Sequence, residues 1–578
     1  MIAKGLASSG APLRYDLLVV GSGAAGLAAA AAAATNGQLV LVCERASVFG
    51  GTSAMSGGEL WIPLSRQAGD APQDSVDEAL EYLQHAVGAE LDAERAAAYV
   101  RHAGEALAFF EDHAGLQYEL LQSVVDYYDL PGAKCGMRSL GAIPFDGRRL
   151  GTNFGCLRAP LQVSQFLGGM SVGREDLPHF LSASRSPRSA LHVTRLVAGY
   201  AFDRMRGYPR GTRLVMGNAL VAQLAAAALA LDVPLWLNAD VKELEFERGR
   251  VVGALVSHEG RIVRVECSRG VVLATGGFAG SGEMQRQHYA HVRAGLRHRS
   301  LLPSTNDGAG LRLALGVGGA IDTRTRGAGA WTPVSELPLR DGSVTLFPHF
   351  GDRAKPGVIA VDSRGRRFAN EAASYHDFGR AMLDVVERDG ADEFALVTSH
   401  ARLRRQGLGR VPPAPAPIGQ YLRSGYLLRS DTVVGLAAVL GYEPTGFAET
   451  VRRFDHHARH GLDPDFARGA SRFERAAGSA DHGPNPCVAP LGSGPYYAIR
   501  ILPGDIGNTR GLRVDANARV LDSAGAPIGG LYALGNCAAS LMGSSYPAAG
   551  IMLGQALTFG YLAARHAGQL FPARLELH

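Results

Sequence analysis

The pattern that most constrains this chain is an aliphatic run over residues 15–20 that enters Gly21-Ser22-Gly23-Ala24-Ala25-Gly26 and continues as an alanine-rich helix to about Ala34. A turn at Asn36-Gly37 leads to a second apolar strand, residues 39–43, which ends at Glu44. Strand, glycine turn, helix and strand in that order form a βαβ unit, which requires a parallel sheet. Gly21 makes the tight turn, Gly23 lets the backbone approach a pyrophosphate, and Gly26 lets the helix pack on the strand. The helix start offers free N–H groups and the positive end of its dipole to phosphates. Glu44 falls where a carboxylate accepts hydrogen bonds from an adenosine ribose. Ordinary glycine-rich turns mimic the triplet, but not with strand, helix and acid in register.

The segment after Glu44 extends the ligand. Gly50-Gly51-Thr52-Ser53-Ala54-Met55-Ser56-Gly57-Gly58 is glycine-rich and hydroxyl-bearing, suited to wrapping a long extended cofactor. A second glycine site, Ala274-Thr275-Gly276-Gly277, and a later Gly535-Asn536 make three separated segments converging on one ligand. That is the pattern of FAD rather than NAD. Between them, residues 251–256 and 262–266 read as a hairpin turning at Glu259-Gly260, and residues 270–274 as another buried strand. From 300 to about 493 the βαβ rhythm is lost, and it resumes at 511–520 and 530–536, before an apolar helix over 550–564. The expected fold class is α/β: a discontinuous Rossmann-like FAD-binding domain (14–285 and 494–578) with an inserted α+β catalytic domain (286–493). A chain of 578 residues accommodates two or three domains.

Composition excludes several classes. A net charge of +4 from 58 basic and 54 acidic residues leaves no nucleic-acid footprint. Six scattered cysteines without a CxxC pair fit neither a disulfide framework nor zinc, nor do they match heme or iron–sulfur spacing; a reducing, cytoplasmic setting is expected. His349, His482 and His456-His457 lack ligand-like spacing, so no metal site is expected. Residues 1–12 contain no apolar signal core, and no run reaches the ~18 apolar residues of a membrane span. The richest stretch, residues 219–231, is interrupted by Gln223 and reads as a buried helix.

Together these segments resemble the succinate dehydrogenase/fumarate reductase flavoprotein superfamily over most of the chain, least well between residues 136 and 211. That family's covalent flavin attachment uses a His near the Gly-Gly-Thr-Ser segment; none stands here, which implies non-covalent FAD. Its dicarboxylate reductases carry an Arg shortly after an Asn-Glu pair. Here Arg367-Phe368-Ala369-Asn370-Glu371-Ala372-Ala373-Ser374-Tyr375 places Tyr375 at that point. The reductases' His residues after a Pro-Gly are likewise missing from Pro503-Gly504-Asp505-Ile506-Gly507. Without those cations the desolvation of a dianion is not offset, so an uncharged substrate is expected there.

These replacements resemble the 3-ketosteroid 1-dehydrogenases, as does Ser545-Tyr546-Pro547-Ala548-Ala549-Gly550. The subfamily's other tyrosine precedes a Pro-Gly, which Asp126-Tyr127-Tyr128-Asp129-Leu130-Pro131-Gly132 matches; Tyr127 is preferred to Tyr128 because it directly follows the Asp. The chain departs in its alanines at 548 and 549, where the subfamily has Gly-Pro, and in a longer 156–211 region. The resemblance implies FAD-dependent 1,2-dehydrogenation of 3-oxo-4-ene steroids. Tyr546 O–H and Gly550 N–H would hold the C3 oxygen, and Tyr375, supported as a phenolate by Tyr127, would take the C2 proton while hydride leaves C1 for flavin N5. It implies cofactor contacts from Gly21, Gly23, Ala24, Ala25, Gly26, Glu44, Arg45, Gly50, Gly51, Thr52, Ser53, Ser56, Gly57, Gly58, Val241, Ala274, Thr275, Gly276, Asp307, Gly535, Asn536, Gly550 and Leu553. Electrons would pass to an external acceptor, a quinone by class. The Arg-, Leu- and Pro-bearing residues 402–429 read as a solvated basic loop or as a peripheral membrane contact. Alternative readings are a 4-dehydrogenase of saturated 3-ketosteroids, another neutral enone oxidoreductase, or a flavin-binding protein without turnover.

Overall fold

A computed structural model describes residues 12–69, 74–183, 186–390 and 393–569, so residues 1–11 of the N-terminal stretch lie outside it. Its first sheet runs Leu235–Trp236, Val40–Cys43, Leu13–Val20, Arg261–Leu273, Arg250–His258, Pro527–Ala533, Arg519–Leu521, with Asp240–Glu247 added beside Arg250–His258. Leu13–Val20 pairs in parallel with both Val40–Cys43 and Arg261–Leu273. Leu17, Leu18 and Val19 are fully buried, as expected of a strand covered on both faces. The Ala24–Thr35 helix is buried nearly all round. Its alanines let the long C-terminal helix Ile551–Gln569 lie close: a Cβ on Gly560 would sit 3.0–3.1 Å from Ala28 and from the backbone of Ala25 and Ala29. The stretch expected as a buried helix is one, Met216–Ala230.

The hairpin turns at Glu259-Gly260, between paired His258 and Arg261. Its second strand and the strand expected at 270–274 are one 13-residue element, Arg261–Leu273. Gly270 joins them at φ 134°, where a Cβ would meet the Gly530 carbonyl oxygen at 2.1 Å.

The second sheet runs Val344–Pro348, Gly329–Pro338, Tyr496–Asn508, Phe394–Ser399, Val358–Asp362. Tyr496–Asn508 is its central strand and also pairs with Arg299–Ser300 and Leu428–Ser430. The return to the cofactor domain, expected at 494, is therefore corrected: residues 496–508 belong to the second sheet, and the chain rejoins the first at Arg519–Leu521. Pro503-Gly504 reads as a strand breaker, yet Pro503 opposes Pro333 and Gly504 opposes Thr332. The 156–211 region carries a one-and-a-half-turn helix, Leu177–Ser182, and a long one, Pro187–Met205, the latter burying only Ser189 and Asp203.

A buried polar chain lies where the second sheet meets the cofactor domain. His291 Nε2 contacts His298 Nδ1 at 3.0 Å, His298 Nε2 meets Asp505 Oδ2 at 2.6 Å, and Ser300 Oγ donates to Asp505 Oδ1 at 2.9 Å. Burial, then the His298 charge, pushes His291 from 6.5 down to about 3. The unfolded chain therefore takes up a proton below pH 6.5 that the folded one refuses until about pH 3. Stability contributed by neutral His291 is whole above pH 6.5 and falls as pH drops, by about 2 kcal/mol at pH 5. Asp505, pushed up by burial, acts in the opposite sense; the telling comparison is therefore between variants. Denaturant melts of the holoprotein at pH 7.5 and 5.0 should show this loss, and His291→Gln should reduce it. An equal loss in the variant places the acid sensitivity elsewhere.

Candidate active site

The cofactor cleft sorts its glycines into two kinds. Gly21 (φ 105°) and Gly26 serve the chain's own packing, because a Cβ would lie 2.3 Å from the Ala274 carbonyl oxygen and 2.0 Å from that of Gly21 respectively. Gly23, Gly51 and Gly57 are not forced by such clashes: a Cβ at Gly23 or Gly51 would make only ordinary contact, 3.4 Å from Ser53 Oγ and 3.6 Å from the Gly23 Cα, and one at Gly57 would meet open space. A Cβ at these three would fill the cradle along which a cofactor lies, so the residues present fit FAD. The Ala24 N–H donates to Ser53 Oγ (3.0 Å), and the Gly50 N–H to Ser22 Oγ (3.1 Å). Thr52 accepts from Asn306 (2.9 Å), and the Ser56 hydroxyl accepts from the Gly58 N–H (3.1 Å). Glu44 is held at its strand end by the Ser22 hydroxyl (2.6 Å) and the Ala46 N–H (2.9 Å). Arg45 pairs with Asp307 at 3.0 Å, so Asp307 is steered by Arg45 and Arg312 rather than left free. Val241 is buried in the same core as Val20 and Cys43, paired across the sheet with Val256.

Ala274 and Thr275 follow the Arg261–Leu273 strand and abut Gly21, Gly276 abuts the Asn306 amide, and Gly535 abuts Ala25. Sequence reasoning missed Asn508. Its amide accepts from the Phe278 N–H (3.1 Å) and donates to the Asn536 carbonyl (2.9 Å), joining both later glycine segments to the second sheet. Gly550, Met552 and Leu553 open the C-terminal helix at the same cleft. Among the described residues no three His, Cys, Asp or Glu side chains group as a metal site.

Three phenols from distant segments meet beside that helix start. Ring centroids lie 5.5 Å apart for Tyr375–Tyr546, 5.9 Å for Tyr127–Tyr375 and 6.2 Å for Tyr127–Tyr546. Tyr375 opens the Tyr375–Asp389 helix, whose N-cap Ser374 accepts from the Asp377 N–H. Next to it, His376 donates from Nε2 to the Ser544 carbonyl (2.8 Å) and accepts the Trp331 N–H at Nδ1 (3.2 Å), fixing the turn that carries Tyr546. The Pro547 carbonyl accepts from both the Tyr127 N–H (2.9 Å) and the Tyr82 hydroxyl (2.6 Å), which ties Tyr127 to the same turn. Tyr128 instead donates to Asp377 at 3.1 Å. Phe350 and Phe473 supply apolar walls, 5.0 Å from Tyr375 and 4.5 Å from Tyr127.

Burial raises all three phenols, Tyr546 to about 12. After burial, the charges of Tyr127 and Tyr546 and hydrogen-bonding with both push Tyr375 up further, so its proton is shared toward its neighbours.

An ion pair, also missed, borders the trio. The Glu59 backbone lies against Gly550, where a Cβ would come within 2.5 Å of the Glu59 carbonyl carbon. The Glu59 side chain meets Arg174, carried by the 156–211 region, at 2.5 Å. Burial raises the Glu59 carboxyl and Arg174 lowers it, with burial dominant; its charge in turn raises Tyr127 and Tyr546.

A dinucleotide cradle facing a cluster of buried phenols defines a flavin-dependent oxidoreductase. The chain belongs to the FAD binding domain family, whose family model matches residues 16–553. It is 37% identical over 564 residues to a 4-oxocyclohex-2-ene-1-carboxylate 5-dehydrogenase of Sinomonas cyclohexanicum, covering 97% of this chain and 94% of that one. It is 34% identical to a 3-oxosteroid 1-dehydrogenase of Mycobacterium tuberculosis, covering 96% and 98%. The 3-ketosteroid delta1-dehydrogenase of Sterolibacterium denitrificans, solved with 1,4-androstadiene-3,17-dione, superposes with a TM-score of 0.88 at 35% identity, covering 96% of this chain and all of that one. No described helix is long and apolar enough to cross a membrane.

Proposed function

We propose that this chain desaturates 3-ketosteroids between C1 and C2. The observation that carries the reading is the convergence of Tyr127, Tyr375 and Tyr546 beside the Gly550 helix start, with apolar walls around them. Removing a proton α to a ketone requires polarising the carbonyl. Tyr546 O–H and the N–H of Gly550, at a helix start where such groups lack intrahelical acceptors, supply two donors for that oxygen. Tyr375 takes the C2 proton, and Tyr127 holds the Tyr375 hydroxyl. FAD, when bound, supplies the acceptor for the hydride that leaves C1. Relatives named as dehydrogenases of monocyclic oxo acids match almost the whole chain at 37% and 34% identity, which supports desaturation of a six-membered ring ketone, fused or single.

Electrons then leave to an external acceptor, a quinone by class. Residues 402–429, which carry short helices and not a plain loop, favour a solvated basic segment over a membrane contact, because three of their arginines are engaged locally: Arg404 with the Ala416 carbonyl, Arg405 with Asp481 and Arg429 with Asp431.

Anaerobic titration of the holoprotein with androst-4-ene-3,17-dione is the test. One equivalent should bleach the flavin and yield the 1,4-diene. A yellow holoprotein that stays oxidised rejects the steroid reading, and if the same holoprotein is bleached by saturated androstane-3,17-dione with the 4-ene as product, the 4-dehydrogenase is favoured instead.

A further inference from the structure

Charge is out of place where a rigid hydrocarbon skeleton is to lie. The phenol trio is walled by Phe350, Phe473 and small apolar residues, yet Glu59 and Arg174 form an ion pair at its edge. Such a pair does little for stability, since partial desolvation of both ions opposes their attraction. Its two halves are unequally available. The Glu59 side chain is 24% exposed and its backbone is wedged against Gly550, whereas Arg174 is 53% exposed and, among the described residues, bonds to Glu59 alone.

Arg174 is also mounted rigidly. Its turn is closed by the Gly173 N–H donating to Asp176 Oδ2 (2.8 Å), and the wholly buried Asp176 side chain is held by Arg213 and His192. The other guanidinium close to Tyr375, Arg353, has its donors taken by the carbonyls of His349, Phe350, Glu371 and Ala373. What the site offers a ligand is therefore a cation with spare, forked N–H donors, the geometry a carboxylate matches.

We propose that Arg174, aimed by Glu59, anchors a carboxylate carried by the ring ketone, so that the site takes monocyclic oxo acids as a second substrate class beside neutral steroids. The inference rests on the ring-ketone reading above. It amends the expectation of an uncharged substrate: that expectation follows from Tyr375 and the 503–507 segment, where no cation stands, but a cation is brought in beside Glu59 by the 156–211 region. One Arg suits a mono-anion, with the ketone at the phenols and the carboxylate across the ring.

The test compares 4-oxocyclohexanecarboxylate with its neutral methyl ester and with androst-4-ene-3,17-dione, using FAD-loaded wild type, Arg174→Met and Arg174→Lys. The acid-over-ester ratio of kcat/KM should fall about 100-fold in Arg174→Met, with the loss lying in KM, and partly recover in Arg174→Lys. A ratio that stays put in Arg174→Met, or a wild type that uses the ester and not the acid, overturns the inference. Wild-type holoenzyme bleached by none of the three overturns the ring-ketone reading itself, and this inference with it.

Discussion

Tyr375→Phe should yield a holoprotein that keeps its FAD and loses dehydrogenation by about a thousandfold, the effect of removing a positioned proton acceptor. The substitution deletes one hydroxyl and keeps the ring that packs against Tyr127, Tyr546 and Phe350. The cofactor cradle is built from other segments, so the absorbance ratio of flavin to protein should not move. Stopped-flow bleaching under anaerobic conditions reads the chemical step directly. Because burial and both neighbours hold the Tyr375 phenol well above 10, the reactive phenolate is the minor form at neutral pH. Wild-type bleaching should therefore accelerate as pH rises through the neutral range, a dependence that Tyr375→Phe lacks. Tyr128→Phe is the comparison: it removes a hydrogen bond to Asp377 outside the trio. Turnover by Tyr375→Phe near the wild-type rate, or a loss of the same size in Tyr128→Phe, would sink the assigned base.

What could be read from the sequence is what local chemistry dictates. The βαβ unit follows from a hydrophobic strand, a glycine turn and an alanine helix within one short stretch, and Gly21 and Gly26 are required by backbone contacts over the same stretch. The phenols were legible because each sits in a short recognisable context, although nothing in those contexts states that they touch. Features that depend on distant pairings were not legible. Asn508 bridges segments that meet only after both sheets form, and the Glu59–Arg174 pair spans 115 residues through a region where the resemblance is weakest. Strand pairing was not legible at Pro503-Gly504 either: the pair has the composition of a turn, but stands within the Tyr496–Asn508 strand opposite Pro333 and Thr332.

The segment that delivers Tyr375 is held from beneath by a buried charge network, and breaking it should be the most damaging change away from the phenols. Glu371 accepts from Arg367 at both oxygens (2.8 and 2.6 Å), from Arg468 (3.0 Å) and from the Ala360 N–H (2.9 Å). The side chains of Glu371, Arg367 and Arg468 are at most 4% exposed. Burial opposes the carboxylate charge, but Arg367 and Arg468 outweigh it and hold the carboxyl below its ordinary value. Arg353 clamps the same segment through the carbonyls of Glu371 and Ala373. Glu371→Ala leaves Arg367 with Asp463 alone as an acid and Arg468 with backbone carbonyls only, so about 3–5 kcal/mol should be lost. Glu371→Gln, which keeps shape and part of the hydrogen bonding, should lose less. Urea unfolding read by fluorescence measures both, and a loss under about 1 kcal/mol in Glu371→Ala would refute the role. The pH windows separate this network from His291. A carboxyl held low contributes fully above its unfolded value of 4.5 and fades only as pH falls through its lower folded value, whereas the His291 loss begins below 6.5. Melts at pH 5 should therefore report His291 while Glu371 is still intact. The Glu371→Ala deficit should be the same at pH 5 and 7.5, and shrink only on further acidification.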